Sequence, residues 1–369
     1  MSPVDVCGQR LANQHLATQT LEKASDIVAL LGAVQAQDYS GAKWGVAQRT
    51  LGTTDAAVEK ELSDGAILRT HVLRPTWHFV TPADIRWMLA LTAPRVKAIL
   101  SYYDRTLGVD DKELRRSRAV FIKALRDGKQ LTRSELSQAL TSARIRTDHG
   151  QRLARLVMHA ELDGLICSGE RRGKQFTYAL LDERVPAVKV MERDAALGEL
   201  ATRYFTTRGP ATIHDFAWWS GLTKTDAKRG VEIAVSKLGR VIIDAREYWL
   251  PPTMRSTKAK SPVVRLLPAF DEYFIGLRDR TAIEVKLESA RVKTKVDFLG
   301  SYPLIVDGQI IGRWKRTIKG KSVIVEIKPL VPLDEREIDR IAHEVDRFAA
   351  FLESPVSTVM RAGTRGRRR

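Results

Sequence analysis

Cysteine is scarce in this chain: 369 residues contain only Cys7 and Cys167. Two cysteines cannot supply a disulfide framework or a cysteine-rich metal site, so a reducing cytosol is the expected compartment. No apolar run approaches the roughly 18 residues of a membrane span. The start, Met1-Ser2-Pro3-Val4-Asp5-Val6-Cys7, lacks a basic stretch followed by an apolar core, so no secretory signal is expected. There is no Gly-x-Gly-x-x-Gly, P-loop, Gly-x-Ser-x-Gly or His-Glu-x-x-His, which removes the common nucleotide, acyl-transfer and zinc-hydrolase signatures. Acid is also short. Lys plus Arg number 61 against 44 Asp plus Glu, for a formal charge of +17. Such an excess points to a polyanionic partner, with nucleic acid first and an acidic membrane surface second. Five of the arginines lie in the tail from Arg361 to Arg369, and removing them from +17 leaves +12. The body is therefore basic too, and the tail is expected to be a disordered arm with non-specific phosphate affinity.

What is present is a pattern used three times. Each pass has short helices, a turn, a longer basic helix and a strand pair. In the second pass Ser117 to Arg126 is expected to be helical. Thr132-Arg133-Ser134-Glu135 is a capping box that starts a helix to Leu140. Gln151 to Leu162 places Leu153, Leu156, Val157 and Ala160 on one face, with Arg152, Arg155 and His159 elsewhere. Leu165 to Ser168 and Gln175 to Leu180 form a hairpin around Gly169-Glu170-Arg171-Arg172-Gly173-Lys174. This is the outline of a winged helix. The third pass repeats it, with Thr212 and Thr223 as caps and Val241 to Asp244 and Glu247 to Leu250 as the wing. The first pass is more diverged, with helices expected at His15 to Leu21, Ser25 to Val34 and Asp55 to Leu62, strands at Ile67 to Thr70 and Arg74 to Val80, and a linking helix from Pro82 to Leu100.

After Pro251-Pro252 the pattern changes to strands: Val263 to Leu267, Arg291 to Phe298, Tyr302 to Val306, Gln309 to Trp314 and Ser322 to Lys328. Asp307-Gly308 between two alternating runs is a hairpin signal. Asp334 to Glu353 is a closing amphipathic helix. The expected class is α+β, with three tandem winged-helix modules, a C-terminal β-barrel-like domain and a closing helix. The boundaries are 1–110, 111–188, 189–255 and 256–355, with a basic disordered tail at 356–369.

Gln35-Ala36-Gln37 is the most informative short element. Glutamines at i and i+2 share a side only where the backbone is extended. Two amides aimed at one point offer carbonyl dipoles and donors without net charge. The other reading is a structural helix terminus. Thr70 to Phe79, dense in hydrogen-bonding and aromatic groups, is expected beside this pair. There Arg69, Arg74, Thr76 and His78 are candidates to line a nucleic-acid groove, while Trp77 and Phe79 read as core. Arg152, Arg155, Arg171, Arg172 and Lys174, then Lys224, Lys228 and Arg229, lie where winged helices meet phosphates; each could instead be part of a solvated face. Arg313, Lys315 and Arg316 are further candidates on the C-terminal strands. Asp271-Glu272 could do acid–base work or cap the element that follows. No carboxylate or cysteine sits at metal spacing from His71 and His78, so no metal or other cofactor is expected.

Leu31-Gly32-Ala33-Val34-Gln35-Ala36-Gln37-Asp38, Thr70-His71-Val72-Leu73-Arg74-Pro75-Thr76-Trp77-His78-Phe79, Leu266-Leu267-Pro268-Ala269-Phe270-Asp271-Glu272-Tyr273 and Asp307-Gly308-Gln309-Ile310-Ile311-Gly312-Arg313-Trp314 resemble, in order and across nearly the whole chain, the AlkZ/YcaQ family of bacterial DNA glycosylases. Glutamine at position 37 is similar to the Gln-x-Gln of the AlkZ-like branch; the YcaQ-like branch has Gln-x-Asp. The resemblance implies three winged helices in a C-shape with a C-terminal β-domain, and Gln35 and Gln37 as catalytic. It also implies removal of N7-alkylated purines from double-stranded DNA, interstrand crosslinks included. A monofunctional, monomeric, nucleoid-associated repair enzyme is the expectation. The alternative is a non-enzymatic winged-helix DNA-binding protein or regulator. Such regulators usually dimerise on two-fold sites, and three non-identical modules in one chain do not fit that habit.

Overall fold

The computed structural model describes residues 5–147, 150–187, 191–253, 262–289, 301–320 and 322–360. The strand expected at Arg291 to Phe298 lies outside them.

Local capping chemistry starts many of the helices. Thr132 and Glu135 form the capping box of Arg133–Ser142, and Thr212 and Asp215 form that of Ile213–Ser220. Each such cap is worth about 1 kcal/mol. Three helical sets follow one another, each followed by antiparallel strands. In the first set Leu68–His71 pairs with Trp77–Val80, which in turn pairs with Val34–Gln35. The Pro82–Thr106 helix leads to the second set: Asp111–Leu125, Arg133–Ser142, Gly150–Leu162 and the strands Ile166–Ser168 and Thr177–Leu180. The third comprises Arg193–Arg208, Ile213–Ser220, Lys224–Ala234 and the hairpin Gly239–Ile243 with Arg246–Leu250.

Several expectations need correction. The first helix is Val6–Asn13, not His15 to Leu21; the chain turns there, with His15 at φ 56°. The Ala24–Leu31 helix stops three residues short of Val34, because Gly32 takes φ 78° and turns the chain into a strand. Tyr39–Ala47 is a further helix, beyond those expected; Asp38 caps it by accepting from the Gly41 amide.

The C-terminal sheet is an open half-barrel, not a closed barrel. Its order is Val356–Met360, Ser322–Pro329, Gln309–Lys319, Tyr302–Val306, Val264–Leu266. The Asp307-Gly308 hairpin is present. Val356–Met360 pairs parallel to Ser322–Pro329, so the expected disordered tail does not begin at 356. A parallel return requires a crossover, and the Glu335–Leu352 helix supplies it.

Two cores meet at the Gln35 strand. Ala33 belongs to one, with Leu68, Val80, Met88, Leu200, Tyr204 and Trp219. Val34 belongs to the other, with Trp44, Phe79, Leu266, Trp314 and Phe348. Trp44 and Trp314 each donate an indole N–H, at 2.7 Å, to the carbonyls of Leu266 and Leu267. The Trp44 bond fastens the Tyr39–Ala47 helix to the C-terminal sheet. Among the described residues, no helix is long and apolar enough to cross a membrane.

Candidate active site

Gln35 is held from three sides. Register sets it opposite His78 in the short sheet, next to Val34 opposite Phe79. Its backbone N–H donates to Glu272 Oε1 at 2.8 Å. Its side-chain Oε1 accepts from Arg74 Nη2 at 2.7 Å. The strand ends there and the chain bends at Gln37, which is exposed, while Gln35 is 6% exposed. The expected neighbourhood of Gln35 and the Thr70–Phe79 stretch is thus realised. Gln35 itself is a buried, oriented amide; Gln37 is at the surface.

The residues that hold Gln35 come from distant parts of the chain. The carbonyls of Leu31 and Ala33 accept from Arg208 at 2.9 and 3.2 Å, which satisfies groups orphaned where the helix ends. Arg208 also donates to Glu272 Oε2 at 2.6 Å, and the Trp219 indole donates to the same oxygen at 2.8 Å. The Arg208 guanidinium lies 4.2 Å from the Trp219 ring centroid. Arg208 and Glu272 are both fully buried. Breaking such a pair by removing one partner typically costs about 3–5 kcal/mol. Glu272 therefore has both oxygens engaged and is not free to take a substrate proton. Asp271 is likewise committed, to Arg49 at 2.8 and 2.9 Å, while capping the Glu272–Ile275 helix. Of the two readings of this acidic pair, the structural one holds. No local sequence motif marks Arg208 or Trp219.

Arg74 completes the arrangement. Its Nη1 donates to the Trp219 carbonyl at 2.9 Å, at the C-terminal end of the Ile213–Ser220 helix where a cation is favoured. Burial lowers its pKa from the ordinary guanidinium value, with Glu272 opposing and Arg208 reinforcing. The Arg74 charge is thus only partly solvated. His78 is fully buried, its Nδ1 2.9 Å from the Thr76 carbonyl. Burial above all, then the Arg74 charge, pushes its pKa well below the ordinary value, so the ring is neutral. This corrects its assignment to a DNA groove. Thr76 is half-buried, with no partner for its hydroxyl among the described residues.

The other basic candidates divide by burial and partner. Arg69 is buried, its guanidinium between the Trp77 and Phe176 rings at 4.3 and 4.6 Å. Arg152 is buried against Glu113 and the Leu107 and Arg146 carbonyls, so it ties its helix to the Asp111–Leu125 helix and the turn before it and cannot reach a phosphate. Its position and that of buried His159, 2.9 Å from Asp104, correct the expectation that only apolar groups of this helix face inward. Arg155 is half-buried over the Tyr103 ring, and Arg171 pairs with Glu59 at 3.2 Å. Arg172 pairs with Glu135, Arg229 with Asp194 at 2.7 Å, and Lys315 with Glu326 at 3.1 Å. Arg316 lies over the Phe348 ring, and Arg313 is half-buried within its strand. Lys174 is exposed, as are Lys224 and Lys228, which line a cavity of about 790 Å³ with Arg246 and Arg278 and the carboxylates of Asp215, Glu247 and Asp279.

Gln35 is thus a buried amide fixed by residues from four separate segments at the meeting of two cores. A model of the DNA glycosylase AlkZ-like family matches residues 28–351, which span every element of that site. The chain belongs to the AlkZ-like DNA glycosylase family. An interstrand DNA cross-link repair glycosylase of Streptomyces sahachiroi is 26% identical over 366 residues, covering 95% of this chain and 97% of its own length. The solved structure of the Streptomyces sahachiroi DNA glycosylase AlkZ shares the fold, with a TM-score of 0.77 at 24% identity, over 96% of this chain and 98% of that one. For a member of this family, the position of Gln35 and the basic surfaces around it are the features to explain chemically.

Proposed function

We propose that this AlkZ-like protein hydrolyses the N-glycosidic bond of N7-alkylated purines in double-stranded DNA, crosslinked purines included, with water as the nucleophile. The observation that carries this reading is Gln35: a buried neutral amide whose carbonyl is aimed by Arg74 and whose backbone is anchored by Glu272. An N7-alkylpurine is already cationic, so it departs without a general acid. Its departure builds positive charge on the sugar. Glutamine cannot accept a proton at neutral pH, but its carbonyl dipole stabilises that charge and orients the water that attacks it. The Arg74 hydrogen bond occupies one lone pair of Oε1 and leaves the second for the water. Gln37, exposed two residues on, contributes the second amide from the surface side. The neutral ring of His78 adds no charge beside the developing cation. In this reading Arg74 takes a phosphate next to the reacting sugar.

In this reading the three helix-and-hairpin sets act as winged helices along the duplex, the chain works as a monomer, and Lys174, Lys224 and Lys228 contact phosphates. Unmodified DNA, whose purines are neutral leaving groups, should not be cleaved.

The test is single-turnover release of base from duplex DNA carrying N7-methylguanine. Removing one preorganised donor or dipole from such a site costs roughly 10²–10³ in rate. Gln35→Ala and Gln37→Ala are each expected to fall by that order, and the double variant further. Borohydride should trap no covalent complex. Wild-type rates in the double variant would sink the mechanism.

A further inference from the structure

Between the first strand set and the second hairpin lies a cavity of about 420 Å³, lined by Arg69, Trp77, Arg133, Lys174, Phe176 and Tyr178. It adjoins the Gln35 segment directly. The Ala36 amide donates to the Trp77 carbonyl at 2.7 Å, and Arg69 Nε donates to the Ala36 carbonyl at 3.2 Å. One wall of the cavity thus holds the residue between the two glutamines.

Arg69 is unusual for a buried cation. It is 8% exposed, yet among the described residues neither terminal nitrogen has a hydrogen-bond acceptor. Glu161, the carboxylate that acts on it electrostatically, has its Oε2 on His71 at 2.5 Å. A buried guanidinium fork whose terminal nitrogens bond no carboxylate fits a phosphate in bidentate fashion. Around it stand aromatic rings, with Lys174 exposed at the rim and Arg133 half-buried beside it.

We propose that this cavity receives one unstacked nucleotide of the bound DNA, its base against Phe176 and its phosphate on Arg69 and Lys174. Cations interleaved with aromatic faces are what a phosphate joined to a planar base requires. The aromatic substituent of an adduct would use the rings and leave the cations idle, so the nucleotide fits more of the wall. The volume falls within the roughly 300–1,000 Å³ of small-ligand pockets. The inference deepens the glycosylase reading and names a subsite one short loop from the reacting sugar. Lifting the nucleotide beside or opposite the lesion out of the stack would open the duplex to Gln35 while a crosslinked purine stays tethered.

The test measures affinity for labelled duplexes that differ only in one unpaired nucleotide, against matched bulges that lack the base. Stacking one base on an aromatic side chain supplies a preference of roughly five- to hundredfold. Wild-type protein is expected to prefer the bulged base by that much, and Phe176→Ala and Arg69→Gln to bring the ratio towards one. Phe176→Ala, at a half-buried position, guards against a folding defect in the buried Arg69 variant. An unchanged ratio in Phe176→Ala, or no preference in the wild type, overturns the proposal. So does selective loss by Phe176→Ala of release of N7-benzylguanine relative to N7-methylguanine with the bulge preference intact, since the cavity would then hold the adduct. Gln35→Ala should keep the bulge preference. A wild-type protein that prefers bulges but releases no base would refute the catalytic reading and leave this one standing.

Discussion

His78 shows how burial fixes a protonation state in this site. Its ring is fully buried, and both burial and the charges of Arg74, His71 and Arg208 disfavour its cation, while the Thr76 carbonyl favours it. Its folded pKa lies well below its ordinary 6.5. As pH falls through that ordinary value, the unfolded chain binds a proton here and the folded chain does not. The stability associated with neutral His78 is therefore complete above about pH 6.5 and is lost as pH drops below it, by at most about 1.4 kcal/mol per pH unit. Urea unfolding at pH 7.5 and 5.5 should show wild-type protein losing about 1 kcal/mol more than His78→Gln over that interval. Identical losses would mean that the ring does not stay neutral. From sequence alone His78 looked like a DNA contact, because its polarity is visible there and its burial is not.

At the scale of elements, the end of the Ile213–Ser220 helix and the turn after Leu68–His71 depend on each other. Gly221 closes the helix at φ 69°, and a Cβ there would lie 2.3 Å from the Leu73 carbonyl oxygen. Leu73 itself sits at φ 62°, a conformation uncommon for a branched residue. These two turns set the Arg74 side chain between the Trp219 carbonyl and Gln35. Gly221→Ala is expected to destabilise by more than about 1 kcal/mol, and to lower single-turnover cleavage under conditions where the variant remains folded. Full activity in the folded variant would show that Arg74 tolerates the shift. The capping boxes and the Asp307-Gly308 turn were legible in sequence because their partners lie within a few residues. The Tyr39–Ala47 helix was not, because Gly41 and Gly45 weaken its propensity. Those glycines face Pro268 closely, at 3.1 and 3.2 Å from where a Cβ would stand, so packing chose the helix.

Across the whole molecule, the Glu272 carboxylate joins the segment after residue 262 to Gln35, Arg208 and Trp219. Glu272→Gln keeps the shape and removes the charge that Arg208 requires. The expected loss is about 3–5 kcal/mol in denaturant unfolding, the range for an orphaned buried cation. Cleavage should fall as well in protein that remains folded, since the Gln35 amide loses its charged acceptor. A shift under 1 kcal/mol would show that the pair is dispensable. The same carboxylate read from sequence as either an acid–base group or a cap. Its true neighbours are 53, 64 and 237 positions away, and no spacing rule reaches that far.

Sequence by itself determined the basic character, the order of helical sets and hairpins, the caps and turns, and the Gln35-Ala36-Gln37 element, because each rests on composition or on contacts a few residues apart. Tertiary structure alone decided that Gln35 is buried and aimed while Gln37 is exposed, that Arg152 and His78 face inward, and that the last strand returns to the sheet. Those outcomes depend on which distant groups exclude water from a given side chain, and exclusion of water is a property of the packed chain.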